Sequence, residues 1–292
     1  MSNESIELVP VRPEYRDALA RICYEAFATF QQRHGFEPDF PNVEVARGLM
    51  ELFSDTKRFR GFAAVLEGRP VGSNFLAVFD GNGAAGGVGP ITVDPNVQAR
   101  GIGKRLMQAV IDQAKRDGVR QVRLMQDAHN QASMSLYSSL GFDWREAAAM
   151  MQIPSDKGPQ PGVRPMTRND LPAVTRMAEA RYHVPRGGEV AWALERALNP
   201  VVRERGGRIV GYFTPSMLGH GVAETVDDAI AMILHAGSTT PPPIARFFCP
   251  LGEHALHRAA MKAGCRALKV MNLMTTGEYH RPNSVWMPSI MF

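Results

Sequence analysis

The stretch Ile91-Thr92-Val93-Asp94-Pro95-Asn96-Val97-Gln98-Ala99-Arg100-Gly101-Ile102-Gly103-Lys104 decides the architecture. β-Branched residues run into a proline turn, and the chain then enters a segment with Ile102, Leu106, Ala109 and Val110 on one helical face. A strand that passes through a glycine loop into an amphipathic helix is the centre of an α/β layer. The first amides of such a helix have no acceptor within it, and the macrodipole places about half a positive charge there, so the natural ligand of the loop is an anion. Gly101 and Gly103 let an anion approach the backbone, and Arg100 and Lys104 flank it with positive charge. The plainer reading is a tight turn that uses the glycines only for their dihedral freedom. Two nucleotide signatures do not fit. The P-loop needs Gly-Lys-Ser/Thr, and the dinucleotide fingerprint needs a third glycine at 106, where Leu106 stands.

Upstream, apolar residues at 18, 19, 22, 26, 27 and 30 predict a helix over Glu14 to Gln32, and Asn42 offers an N-cap for a second helix near 43 to 53. Gly61 to Leu66 and Val71 to Phe79 read as a hairpin turning at Glu67-Gly68-Arg69-Pro70, and Val88 to Asp94 as a third strand. Downstream, Gln98 to Asp117 is a helix closed by Gly118, Val119 to Asp127 a strand, and Gln131 to Leu140 a short helix ended by Gly141. Within Asn130-Gln131-Ala132-Ser133-Met134-Ser135-Leu136-Tyr137-Ser138-Ser139-Leu140-Gly141-Phe142, Asn130 is either a helix cap or a ligand-binding amide. Tyr137 is either a core aromatic or a hydroxyl donor.

Together, Gln98-x-x-Gly101-x-Gly103 after Val93-Asp94-Pro95 resembles the pyrophosphate-binding signature of the GNAT superfamily of N-acetyltransferases. The run from Asn130 to Gly141-Phe142 is similar to the second motif of that family. The resemblance implies an α/β fold with a mixed sheet of GNAT type flanked by helices. It implies acetyl-coenzyme A as co-substrate, with the backbone from Ala99 through Arg100, Gly101, Ile102 and Gly103 to Lys104, after Gln98, on the pyrophosphate. The main chain of Ile91 and Val93 would pair with the pantetheine arm as an added strand, and Asn130 would bond a pantetheine amide. Tyr137 would be the general acid for the departing thiolate, after direct attack of an amine on the thioester. The acceptor would be a small-molecule amine or a protein amino group. Many relatives carry a carboxylate on the strand before the loop, but Gly86 to Val93 has none, which leaves Asp127, His129 or a water chain as base. The alternative is a coenzyme A-binding regulatory or interaction protein without turnover. The aromatic segment Phe27, Phe30, His34, Phe36 and Phe40 lies where the family builds acceptor pockets.

A length of 292 residues is enough for two domains. Pro154 to Gly162 lacks the pattern of helix or strand and predicts a linker between a cofactor-binding domain over 1–153 and a second domain over 163–292. Val11-Arg12-Pro13 and Val163-Arg164-Pro165 hint at two tandem copies of one unit. A shift of 123 residues lays Gly141 on Gly264, Gly101 on Glu224, Asn130 on Glu253 and Tyr137 on Ala260. A glutamate at a helix start repels pyrophosphate and alanine has no proton to give, so the second copy reads as a degenerate GNAT-like domain. Arg281 to Phe292 reads as an edge strand or packed tail.

The apolar share of 45% and charged share of 21% are those of a globular chain, with no run of the ~20 apolar residues that a membrane span needs. A net charge of +4 without charge blocks gives nucleic-acid binding little support. Met1 to Glu7 lacks a secretory pattern, which predicts a cytoplasmic protein. Cys23, Cys249 and Cys265 read as reduced core thiols, and His254 with His257 lacks a third ligand, so no metal site is expected.

Overall fold

A computed structural model describes residues 6–80, 83–97, 101–283 and 285–291. Backbone packing divides the chain into two compact units, Met1–Val78 with Gly86–Val122, and Phe79–Ala85 with Arg123–Phe292.

In the first unit β1 (Glu7–Pro10) leads through a 3-10 turn at Pro13–Tyr15 into α1 (Arg16–Arg33), which buries Leu19, Ala20, Ile22 and Cys23. α2 (Val43–Leu52) begins at the expected cap, where the Asn42 side chain accepts from Val45 N at 3.1 Å. β2 (Phe59–Leu66) and β3 (Arg69–Ala77) form the expected hairpin, with Leu66 opposite Arg69. Its loop is two residues, Glu67 and Gly68, at φ 49° and 76°, the left-handed pair that matches strand twist. The strand expected over 88–94 is instead two, β4 (Ala85–Val88) and β5 (Thr92–Val93), both paired with β3. Gly89 at φ 133° turns the chain out of line and Pro90 has no N–H to donate, so the ladder stops between them. α3 (Ile102–Arg116) buries Ile102, Leu106, Met107, Val110 and Ala114, and β6 (Gln121–Asp127) carries the chain across the division between units.

The second unit continues with α4 (Gln131–Ser139), β7 (Asp143–Gln152), β8 (Val163–Pro165), a 3-10 turn at Arg168–Asp170, α5 (Leu171–Tyr182) and α6 (Gly187–Glu195). Then come β9 (Val201–Arg205), β10 (Arg208–Phe213), β11 (Gly221–Ala223), α7 (Val226–Thr239), β12 (Arg246–Pro250), α8 (His254–Lys262), β13 (Arg266–Thr275) and β14 (Val285–Met287). The segment 154–162, expected between domains, lies inside this unit, where Gln160 N donates to His235 Nδ1 of α7 at 3.2 Å. Strands β14-β11-β10-β9-β8 form one antiparallel sheet, so the C-terminal segment is the edge strand expected. Its core joins Phe213, Met232, Ile233, Phe247 and Met287 on one side, and Tyr182, Val202, Tyr212, Phe248 and Trp286 on another.

The series strand, 3-10 turn, two helices, three strands, helix, strand, helix, strand occurs twice, with β8 to β13 repeating β1 to β7 without the β5 interval. The repeated Val-Arg-Pro is not the equivalent pair. β1 ends at Pro10 three residues before its 3-10 turn, and β8 ends at Pro165 three residues before its own, so Pro165 matches Pro10 rather than Pro13. From α4 onward the shift of 123 residues holds residue for residue, taking Gln131–Ser139 to His254–Lys262 and Asp143–Gln152 to Arg266–Thr275. The pairing obeys it as well. In the order β6-β13-β7-β12, Met271 faces Asp127 as Ala148 faces Pro250, and Thr275 faces Arg123 as Gln152 faces Arg246. Each repeat therefore inserts its last strand beside the preceding strand of the other, around a local two-fold through the β7–β13 pair.

Candidate active site

In the first unit Gly101 caps α3 at φ 72°, a conformation that suits glycine, and Arg105 N makes the first helical bond to Gly101 O at 3.1 Å. The amides of residues 102–104 precede that bond, and the first turn of α3 holds no acidic residue. Lys104 and Arg105 are exposed there, so the helix start is electropositive. Ile102 is buried and anchors the turn, with Ile91 and Val93 packed against the same cluster of Ala64, Leu66, Val71 and Leu106. Gly72 lets β5 come close: a Cβ there would stand 2.6 Å from Thr92 O. Asp94 holds the following turn by accepting from Asn96 N at 2.9 Å. Gln98, Ala99 and Arg100 lie outside the described residues.

In the second unit Asn130 caps α4, its side-chain oxygen accepting from Ser133 N at 3.0 Å. That satisfies the helix and leaves the amide nitrogen as the group to offer a ligand carbonyl. Tyr137 is the buried residue of α4, at 5% exposure, with its ring centroid 6.1 Å from that of Phe142. Burial, with the nearby Asp127 carboxylate, pushes its hydroxyl up to about 12 against a hydrogen bond with Ser133, so it keeps its proton at neutral pH. Asp127, a candidate base in the sequence, is committed elsewhere. Its Oδ1 stands 2.6 Å from Lys269 Nζ in a buried ion pair, both side chains 6% exposed. Lys269 was not legible as a site residue, because it arrives on β13, far along the chain. In the aromatic segment Phe40 is buried, Phe27, Phe30 and Phe36 are half-buried and His34 is exposed; Phe27 meets Phe40 edge-on at 5.4 Å, and the Phe30 ring lies 4.4 Å from that of His34.

Residues 21–142 match the model of the acetyltransferase (GNAT) family. This segment is a GNAT acetyltransferase domain. The match runs from α1 to just past α4 and spans both sequence motifs of the GNAT domain. Over 129 residues the chain is 30% identical to a mycothiol acetyltransferase of Nocardiopsis dassonvillei, covering 44% of this chain and 35% of that one. Over 77 residues it is 36% identical to a ribosomal protein bS18-alanine N-acetyltransferase of Escherichia coli, covering 22% of this chain and 52% of that one. The chain thus spans about a third to a half of these curated relatives. A crystal structure from Pyrococcus horikoshii, designated an acetyltransferase, shares the fold over 98% of this chain and 94% of its own, at a TM-score of 0.78 and 14% identity.

The helix after β11 differs from the start of α3 in the GNAT domain. Thirteen residues separate β4 from α3, whereas Glu224 and Thr225 alone separate β11 from α7. Aligning the helix starts puts Thr225, not Glu224, opposite Gly101, one residue from the register expected from the 123-residue shift. Thr225 accepts from Asp228 N at 3.2 Å, and Asp227 and Asp228 fill the first turn. Arg203 and Arg205 lie 3.3 Å and 3.2 Å from the Asp228 carboxylate. The dipole of α7 is satisfied by its own side chains. Ala260, buried on α8, takes the position of Tyr137.

Proposed function

We propose that this chain is a cytoplasmic, acetyl-coenzyme A-dependent N-acetyltransferase working through its GNAT domain, with the second repeat a degenerate GNAT-like domain. The observation that carries the reading is the start of α3, a left-handed Gly101 ahead of first-turn amides with no acidic neighbour in the turn. Those amides, with Gln98 to Lys104, receive the pyrophosphate of coenzyme A, and the main chain at Ile91 and Val93 receives the pantetheine arm. Asn130 donates to a pantetheine carbonyl.

With Asp127 tied to Lys269, the acceptor amine loses its proton to His129 or to solvent water. Its lone pair forms a bond to the thioester carbonyl carbon, and the carbon–sulfur bond then breaks. Tyr137 gives its hydroxyl proton to the departing thiolate, a contribution of typically 10²- to 10⁴-fold, and the second proton, shed by the nitrogen as the amide forms, returns to the tyrosinate through solvent. The relatives' names point to different molecules, mycothiol in one and a ribosomal protein alanine in the other. We therefore propose an amine as acceptor, on a small molecule or a protein. The short loop and self-capped start of α7, together with Ala260, support one cofactor site per chain.

A panel of amines with acetyl-coenzyme A, read by release of free thiol, tests the proposal. Thiol release with at least one amine is expected. Binding of the cofactor without turnover across the panel would favour the second reading, a coenzyme A-responsive regulatory protein, for which the lack of a carboxylate between Gly86 and Val93 speaks.

A further inference from the structure

The local two-fold brings a residue of the degenerate repeat to the catalytic turn of the GNAT domain. Irregularities in the β7–β13 ladder fall at Arg145 and at Leu268, which the 123-residue shift superposes. The residue after each irregularity is charged, and each reaches the strand-to-helix turn of the other repeat. Glu146 on β7 accepts from Gly252 N at 3.2 Å, ahead of α8. Lys269 on β13, its counterpart, pairs with Asp127 at 2.6 Å, ahead of α4. Bulges re-aim side chains in this way, and their recurrence at matching positions argues that the reach belongs to the architecture.

The consequence lies in the charge. Asp127 ends β6, its carbonyl accepts from Asn130 N at 2.8 Å, and its carboxylate acts on the Tyr137 hydroxyl through space. Without the Lys269 ammonium, the negative charge there would hold the Tyr137 proton more tightly and oppose the thiolate that forms as coenzyme A departs. We propose that Lys269, supplied by the degenerate repeat, is a positioning residue for acetyl transfer: it neutralises Asp127 in the turn that carries Asn130 and leads to Tyr137. This rests on the reading of Tyr137 as the proton donor, and it gives the second repeat a role in catalysis without a cofactor of its own.

The test compares the full-length wild type with Lys269→Met, Lys269→Arg, Tyr137→Phe and the double variant Asp127→Asn/Lys269→Met. Lys269→Met should lower kcat about tenfold or more with the KM for acetyl-coenzyme A within about twofold, as expected for an interaction that matters at the transition state. Lys269→Arg should keep most of the activity. The double variant should recover kcat to within about threefold of wild type, because removing both charges removes the conflict. A folded Lys269→Met protein with wild-type kcat overturns the proposal. So does a double variant no more active than Lys269→Met, or, where Lys269→Met alone does not fold, a folded double variant as slow as Tyr137→Phe. An inactive wild type, or a Tyr137→Phe protein with unchanged turnover, instead overturns the functional reading beneath it.

Discussion

Tyr137 carries two readings at one position, and its hydroxyl separates them. The ring is buried on α4 beside Phe142, so Tyr137→Phe keeps the packing and removes only the donor. We expect kcat to fall by roughly 10²-fold with coenzyme A affinity within a few-fold, measured by thiol release and by titration. A loss confined to thermal stability would return the residue to the core. At Gly101 an added Cβ meets nothing within 4 Å among the described residues, but φ is 72°, so Gly101→Ala isolates the backbone strain, about 1 kcal/mol. Gly101→Glu adds a carboxylate at the helix start and should weaken coenzyme A binding at least about tenfold, ~1.4 kcal/mol, beyond the alanine variant. Both residues could be named as candidates from the sequence because motif spacing is local. Lys269 was not, because its partner Asp127 lies on a strand that only the folded ladder brings beside it.

Among the elements, those with local causes were readable: the Asn42 cap, the Glu67-Gly68 hairpin and the amphipathic face of α3 each declare themselves within a few residues. The break between β4 and β5 was hidden because the run from Val88 to Val93 is rich enough in β-formers to mask Gly89-Pro90. Helix starts also separate the repeats. Thr225 caps α7 where Gly101 leaves α3 without a side-chain cap, and Thr225→Ala should cost about 1 kcal/mol in a denaturant melt. At the 3-10 turn ahead of α5, Arg164 holds Asp170 at 2.8 Å, with Thr167 completing a capping box. Those bonds keep the Asp170 carboxyl well below the usual range. A carboxylate with a depressed folded pKa stabilises above its unfolded pKa and loses that contribution as pH falls through the folded value. The wild type should therefore lose more of its thermal midpoint below about pH 4 than Asp170→Asn does, and equal losses would remove Asp170 from the acid response.

At the scale of the molecule, the tandem pattern was visible as a weak 123-residue recurrence, but the reciprocal strand insertion was not, because pairing between β6 and β13 is non-local. The break foreseen at 154–162 follows composition, whereas compactness follows pairing, and β12 and β13 join β6 and β7 across it. Leu273, fully buried on β13, should cost about 2–5 kcal/mol when cut to alanine, read as a lower unfolding midpoint. The central claim is that one repeat binds the cofactor and the other has lost the means to do so. Calorimetric titration of the intact chain with acetyl-coenzyme A tests it most directly. Saturable binding with one equivalent per chain, abolished or sharply weakened by Gly101→Glu, is expected; two equivalents, or no heat at millimolar ligand, would rule out a single cofactor site in the first repeat.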